Sequence, residues 1–227
     1  LRAFPQPYGW LPDGARAAPG EIANISGTPL AEAVRSRFYK AVTFGYIFAL
    51  GAQVGGALQL VKLVEERTDR STATLATIVL STMSILSRFA AGRIIPKINM
   101  TRFTVGLAGL QGISLASLGL INNRIGLLIA IGLFGVTIGN MVMMQSLLLA
   151  ERFGVRDYPK IAARSGLISF SGTALGPLLL GWLYDVAGGY RSSYLAAGAC
   201  SIIGAILFSF AGSASVASTE VASAQSQ

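Results

Sequence analysis

One arginine of this sequence lies inside an apolar stretch and continues a row of hydroxyl side chains. Thr77, Ser81, Ser84 and Arg88 occupy positions i, i+4, i+7 and i+11, which fall within about 60° of one another on an α-helix. A guanidinium keeps its positive charge and presents a fork of N–H donors that matches a carboxylate. The row therefore predicts recognition of an anionic substrate, with Arg88, Ser84 and Ser81 as contact residues.

Two other roles for Arg88 are open from the sequence. The guanidinium could form an ion pair that holds or gates neighbouring helices, because an unpaired charge in hydrocarbon costs several kcal/mol. It could also extend to the membrane surface, since it lies about seven residues, or roughly 10 Å, from the end of its stretch. The three roles differ in where the guanidinium is held.

Further uncharged polar residues lie inside apolar stretches and are candidate substrate contacts. They are Gln53, Gln59, Asn140 and Ser169. Each could instead form a hydrogen bond between packed helices, which is the commoner use of such side chains in membranes. Gln53 and Gln59 are six residues apart and point in different directions on a helix, so they do not form one site by themselves.

Residues for covalent or metal chemistry are scarce. The sequence has no histidine and one cysteine, and its ten acidic residues lie in loops or at helix ends. A catalytic residue, a metal site and a cofactor are therefore not expected, and we do not expect the protein to be an enzyme.

The elements that must position these residues are apolar helices. Hydrophobic residues make up 52% of the chain and charged residues only 12%, and the mean hydropathy is +0.60, which favours an all-α integral membrane bundle of six helices. The predicted spans cover residues 37–64, 71–95, 102–122, 125–150, 162–186 and 192–211. Residues 1–34 are expected to be a cytoplasmic linker and residues 212–227 a disordered cytoplasmic tail.

The distribution of basic residues predicts how the spans are oriented. Of the 18 lysines and arginines, 13 fall in the N-terminal segment and in the regions linking spans two to three and four to five, and five fall in the alternate loops. Since cytoplasmic loops carry the excess of positive charge, both termini are expected in the cytoplasm and the protein in the plasma (inner) membrane. Membrane orientation explains the high pI of about 10.1, so nucleic acid is not an expected partner.

The fifth predicted span carries small residues at helical spacing. Ser165, Ser169, Gly172 and Gly176 recur along one stripe, which would allow another helix to approach closely or would line a wet cavity. Pro177 lies within the same span and removes one backbone donor. A kink is expected there, because membrane helices tolerate proline when neighbours satisfy the freed carbonyl.

Three segments carry a resemblance to the major facilitator superfamily. The pattern Gly172-x3-Gly176-Pro177-x3-Gly181-x3-Asp185 resembles the eleventh helix of that superfamily. The segment from Arg88 to Gly92 and Arg93 resembles the start of the loop motif after its eighth helix. The opening segment, Gly9-Trp10-Leu11-Pro12-Asp13-Gly14, is similar to the central loop of the monocarboxylate and oxalate/formate antiporter branch.

The resemblance implies a fold and a function. The chain would supply helices seven to twelve of a twelve-helix carrier, with an N-terminal six-helix half as its missing partner. It would be a secondary active transporter moving a small organic anion by alternating access, and Arg88 would hold the substrate carboxylate. Structural or gating roles would fall to Gly92, Arg93, Gly172, Gly176, Pro177, Gly181 and Asp185.

The sequence departs from those relatives at three positions. Pro96 stands where the loop motif usually has an aspartate, Ser84 where monocarboxylate carriers have an aspartate, and Ser169 near the lysine of oxalate/formate antiporters. No acidic residue lies in the interior of a predicted span, since Asp185 is at the end of the fifth, so a proton relay would have to lie in the other half. The alternative is a complete six-helix membrane protein that acts as a homodimeric carrier or channel.

Overall fold

The computed structural model describes residues 27–214, and its regular elements in that range are helices apart from one isolated bridge. The helices are α1 Leu30–Ala33, α2 Arg37–Arg67, α3 Arg70–Ile94, α4 Met100–Leu120, α5 Arg124–Phe153, α6 Tyr158–Ala187 and α7 Tyr190–Ser209, with a 3-10 turn at Ile95–Lys97. The predicted linker 1–34 therefore lies mostly outside the described residues, as does nearly all of the predicted tail 212–227.

Six of the described helices, α2 to α7, are long and apolar enough to cross a membrane. The shortest has 20 residues, which at about 1.5 Å per residue spans the roughly 30 Å of a bilayer core. The all-α prediction with six spans is confirmed at this level, and the chain is a multi-pass membrane protein by the length and composition of its helices.

Several helices extend beyond the predicted spans. Helix α2 continues to Arg67, α5 continues to Phe153, and α6 begins at Tyr158, four residues before the predicted start. Hydropathy marks the part of a helix that lies in lipid, whereas lysine, arginine and glutamate are good helix formers in the water beyond it. The connection between α5 and α6 is consequently only residues 154–157.

Polar side chains define where the long helices begin. Ser36, Asp69, Asn99 and Asn123 are the N-caps of α2, α3, α4 and α5, and the side chain of each accepts a backbone N–H of the first turn. These bonds satisfy donors that the helix itself leaves unpaired. Gly188 ends α6 in the left-handed conformation, with φ of 68°, which a residue without Cβ adopts at little cost.

The packing of the six long helices shows an internal repeat. Helix α2 packs against α6 and α7, α5 packs against α3 and α4, and α4 packs against α7. Exchanging α2, α3 and α4 for α5, α6 and α7 reproduces these pairings. Because each unit crosses the membrane three times, the second unit has the inverted orientation of the first.

Glycines allow the closest contacts in both units. In the α2–α6 contact, a side chain at Gly172 or Gly176 would overlap the backbone of Ile47 or Gly51. In the equivalent α5–α3 contact, a methyl group at Gly135 would lie 2.6 Å from the carbonyl oxygen of Leu80. Helix α6 stays continuous through Pro177. The small residues of α6 thus serve close approach to α2 in this conformation.

Two helices leave most of their surface uncovered. Only 17% of the most apolar window of α3 and 22% of that of α6 is buried, against 44–56% in the other four spans. These two helices occupy equivalent places in the repeat. Both carry large exposed apolar side chains, such as Phe89 at 68% and Leu167 at 79% exposure. The uncovered faces suit lipid or another apolar protein surface.

The start of the described chain is attached to the α5–α6 connection. The N–H of Thr28 donates to the carbonyl oxygen of Phe153 at 2.8 Å, and the N–H of Leu30 donates to Oδ2 of Asp157 at 3.1 Å. The bond from Leu30, with a second from Lys160, lowers the pKa of Asp157 below its ordinary value. The segment before α2 is thereby fixed at the end of the bundle near α6.

Candidate functional site

The Arg88 side chain reaches across from α3 to α5. Its Nε donates to the backbone carbonyl oxygen of Gly139 at 2.8 Å. Gly139 makes this approach possible, because a methyl group there would overlap the carbonyl oxygen of Ser84 and lie 2.7 Å from Oγ of Ser87. Close packing of α3 on α5 therefore anchors one edge of the guanidinium.

The rest of the guanidinium remains open. Arg88 is exposed at the surface of the described bundle, and one of its five N–H donors is used by Gly139. The only ion pair within residues 27–214 joins Lys160 to Asp157, so no acidic side chain of that part of the chain neutralises Arg88. Its terminal N–H groups are free to bind a carboxylate in the bidentate geometry that arginine favours.

The anchor holds one edge of the guanidinium beside the middle of α5. Gly139 is fifteen residues from the first residue of α5, Arg124, and fourteen from the last, Phe153. Helical side chains point toward the N-terminus of their own helix, so Arg88 leans away from the nearer end of α3, at Ile94. The three roles open to Arg88 from the sequence all stay predictions.

The hydroxyl row on α3 follows the same uncovered edge as Arg88. Thr77 and Ser81 are exposed and Ser84 is half-buried, whereas the buried side of the helix carries Ala76 and Ser87. The predicted grouping of Ser81, Ser84 and Arg88 on one face thus follows from the continuous helix. The structure describes no ligand, and substrate contact by these residues stays a prediction.

Asn140 lies on the other flank of the α3–α5 contact. It is 1% exposed, and its Nδ2 donates to Oγ of Ser87 at 3.1 Å and to the carbonyl oxygen of Val136 at 2.9 Å. Both Asn140 and Ser87 line an apolar groove of about 510 Å³ between α3, α4 and α5, which Arg88 does not line. The structure does not bring Asn140 and Arg88 to one cavity.

Ser169 belongs to a buried polar network between α2, α5 and α6. Nε2 of Gln145 donates to Oγ of Ser169 at 2.9 Å and to Oγ of Ser165 at 3.2 Å. The Ser169 hydroxyl donates to the carbonyl oxygen of Thr43 at 3.1 Å, and the hydroxyls of Thr43 and Ser165 are 2.8 Å apart. Ser169 is fully buried, so its predicted substrate contact would require these helices to separate.

The two predicted glutamines of α2 differ in burial. Gln53 is buried, with 6% of its surface exposed. Gln59 is half-buried beside α6, where a methyl group at Gly181 would lie 3.8 Å from its Nε2. Oε1 of each glutamine is buried and has no hydrogen-bond partner in the described residues.

The residues with predicted structural or gating roles lie either at the ends of α3 and α6 or along α6 at and after its contact with α2. Gly92 and Arg93 are exposed at the end of α3, and Asp185 is exposed at the end of α6. Gly172 and Gly176 form the α2–α6 contact described above, while Pro177 and Gly181 lie on the following turns of α6. None of these observations tests a gating role.

Several hydrogen-bonding residues between helices were not singled out from the sequence. Nε2 of Gln111 on α4 donates to the carbonyl oxygen of Ala49 and to Oγ of Ser201, at 2.8 and 3.0 Å. The hydroxyl of Tyr194 on α7 donates to the carbonyl oxygen of Gly56 at 2.7 Å. The sequence shows that these residues are polar and lie inside apolar spans, which indicates that they form hydrogen bonds. It does not show their partners, because those depend on which helices pack together.

These features define a class of protein: a multi-pass α-helical membrane protein whose two three-helix units pack in a similar pattern, with an arginine in a spanning helix that has no acidic partner among residues 27–214. A search among protein-family models and curated proteins gives no match to this chain. A more particular assignment must therefore rest on the site itself.

Proposed function

We propose that this chain is part of a secondary active transporter that moves a small organic anion by alternating access. Arg88 carries the proposal, because a guanidinium within a spanning helix that has no acidic partner among residues 27–214 is costly unless it serves an anion. The protein would bind its substrate carboxylate through the free N–H groups of Arg88. Ser84 and Ser81 would contact the same substrate from the adjacent turns of α3.

The internal repeat supports this class of mechanism. Inverted repeats are common in secondary transporters, whose substrate sites lie near the bilayer midplane and whose transport step is a rocking of one unit against another. The anchor between Arg88 and Gly139 joins α3 of the first repeat to α5 of the second. An anion bound there would act on the contact between the two repeats.

The uncovered faces of α3 and α6 support a further apolar partner in the membrane. In the proposed arrangement, that partner is an N-terminal six-helix half, and the chain is the C-terminal half of a major facilitator fold. A second copy of this chain is the competing arrangement, in which a homodimer forms the carrier or channel. Cross-linking from a cysteine placed at Phe89 would distinguish these two arrangements by the mass of the product.

The test of the proposal is uptake of a labelled carboxylate by the full-length parent protein reconstituted in vesicles. Arg88→Ala removes two charge-assisted hydrogen bonds of about 1.5–3 kcal/mol each, so we expect substrate binding to weaken by at least about 100-fold. Arg88→Lys should also impair uptake, because a point charge does not reproduce the bidentate fork. Unchanged uptake by Arg88→Ala would remove Arg88 from the site.

Lys97→Ala provides the matched control. Lys97 is exposed in the 3-10 turn after α3 and carries the same charge as Arg88 outside the spanning helix. Lys97→Ala should leave uptake unchanged if transport depends on the positive charge at position 88 and not on the net charge of the protein. A melting-temperature screen against monocarboxylates, dicarboxylates, sugars and drugs would identify the substrate class, since a selective ligand stabilises the folded protein.

A further inference from the structure

A cluster of positive charge lies around the start of α2 and does not include Arg88. The basic pocket is a cavity of about 410 Å³ lined by Arg35, Arg37, Lys40, Ala41, Phe44 and Leu207. Four of these residues belong to α2 and occupy positions i, i+3, i+4 and i+7, counted from Arg37. Residues at this spacing share one face of a helix. Three bases thus surround one cavity whose other walls are apolar.

The three bases lack carboxylate partners in the described residues. The ion pair between Lys160 and Asp157 is the only one in residues 27–214, and no acidic side chain lines the basic pocket. The guanidinium of Arg37 lies over the ring of Phe210, 5.9 Å from its centroid. Cationic groups gathered in this way lower their mutual repulsion by binding an anion.

The apolar walls lie on the side of the basic pocket that enters the membrane. Arg37 is the first residue of α2, Lys40 follows on its first turn, and Phe44, which is 52% exposed, comes one turn further into the span. Leu207 lies near the end of α7, which runs antiparallel to α2. Charge and apolar surface are therefore ordered along α2 as head group and hydrocarbon are ordered in a bilayer.

A separate apolar cavity lies further along α2. Phe48 is one turn beyond Phe44 and is itself 36% exposed. It lines this second cavity of about 410 Å³ between α2, α6 and α7, whose walls include Ala52, Leu179 and Cys200. Helix α6 contacts α2 along the row that contains Thr43, Ile47 and Gly51, so α6 does not cover the Arg37–Phe44 face.

We propose that the basic pocket binds an anionic phospholipid, with the phosphate between Arg35, Arg37 and Lys40 and one acyl chain along Phe44 and Phe48. Basic pockets between spanning helices at the membrane surface recognise anionic head groups. The ordered sequence of charge, aromatic ring and apolar cavity selects a lipid over a free phosphate, which would use the bases alone. This site is independent of the proposed transport activity, because it requires only that the chain span a membrane.

Lipid binding to the delipidated protein in neutral detergent tests the proposal. Dioleoyl-phosphatidylglycerol should remain bound in native mass spectrometry and raise the melting temperature, whereas dioleoyl-phosphatidylcholine should do neither. The triple variant Arg35→Gln, Arg37→Gln, Lys40→Gln should bind phosphatidylglycerol roughly 100-fold more weakly, given about 1 kcal/mol per base near an anionic lipid. Glycerol 3-phosphate should give no comparable stabilisation.

A second triple variant controls for net charge. Lys97, Arg102 and Arg156 are exposed bases on the same side of the bundle as the start of α2 and do not line the basic pocket. Changing these three to glutamine should leave lipid binding within about twofold of the parent. Equal loss in both triple variants would overturn the proposal, as would equal binding of phosphatidylcholine or of glycerol 3-phosphate.

A fluorescence measurement keeps the test valid if the charge variants fail to fold. With Trp10 and Trp182 changed to phenylalanine, Phe44→Trp places a single reporter in the basic pocket without altering charge. Brominated phosphatidylglycerol should quench it more strongly than brominated phosphatidylcholine, whereas Ile113→Trp, at a 62% exposed site on α4, should show no preference. Equal quenching of Phe44→Trp by the two lipids would refute the site.

Discussion

The contact that anchors Arg88 can be tested by adding one methyl group to α5. Gly132 and Gly139 both face α3, but they differ in the space beside them. A methyl group at Gly132 would meet Met83 Cγ and Val79 Cγ1 at 3.6 Å, an ordinary contact distance. At Gly139, it would overlap the carbonyl oxygen of Ser84, a backbone atom that no change of rotamer can move.

The expected energies have opposite signs at the two positions. Replacing glycine by alanine within a helix gains up to about 1 kcal/mol from propensity, and Gly132→Ala should keep this gain. At Gly139, the Oγ of Ser87 at 2.7 Å must retreat by about 0.7 Å to reach 3.4 Å, with an overpacking cost of about 1–3 kcal/mol. The Arg88–Gly139 bond would lengthen as well, at a cost of about 1–2 kcal/mol. We therefore expect Gly139→Ala to be less stable than Gly132→Ala by about 2–5 kcal/mol.

The measurement is the melting temperature of each purified variant in detergent. For a chain of this length, a loss of 1 kcal/mol lowers the melting temperature by about 2–4 °C, so the two variants should differ by about 4–20 °C. Gly139→Ala should also lose part of the melting shift that a bound carboxylate produces, because the anchored guanidinium moves with α3. Equal melting temperatures, or a lower value for Gly132→Ala, would show that α3 and α5 do not pack as described.

Three further outcomes follow from the same structure. Gln145→Leu should lower stability by only about 1 kcal/mol despite removing two hydrogen bonds, because such bonds are weak between membrane helices; a loss above about 3 kcal/mol would contradict this. Arg67→Met should cost about 1–3 kcal/mol in a melting measurement, since Arg67 donates to the carbonyl oxygens of Leu118, Gly119 and Ile121 at the end of α4, and parent-like stability would refute that role. Asp69 accepts hydrogen bonds from the Ser71 hydroxyl and from the N–H and hydroxyl of Thr72, which lower its pKa from the ordinary 3.8. The stability that the ionised Asp69 contributes should be complete above pH 3.8 and lost as the pH falls further. Asp69→Asn should therefore reduce the fall in melting temperature at acid pH. An unchanged pH profile of the melting temperature would contradict this role of Asp69.

The uneven exposure of the polar residues has a consequence for mechanism. Arg88 and the hydroxyl row on α3 are open in this conformation, whereas Ser169 is enclosed by Gln145 and Thr43. A carrier that alternates access would open one set of residues as it closes another. Under the proposed function, the Ser169 network would be a contact that changes during the cycle, and Gln145→Leu would then alter transport more than stability.

The helices and their approximate bounds could be predicted from the sequence because both depend on local properties. An uncharged apolar run of about 20 residues has few structural options in a membrane, and its backbone must pair within itself. The row from Thr77 to Arg88 could be placed on one face for the same reason, since helical spacing alone determines it. Some helices extend past the predicted spans, as α6 does by starting at Tyr158 rather than near residue 162, because charged residues in water extend a helix without extending the span.

The tertiary structure alone decided which polar residues face a neighbour and which stay open. Asn140, Ser169 and Arg88 are all polar residues within spans, yet the first two are buried in bonds between helices and the third keeps free donors. That difference depends on pairings across long stretches of chain, such as the 126 residues between Thr43 and Ser169. Side-chain spacing along one helix carries no information about which other helix lies opposite, so burial and partnership follow only from packing.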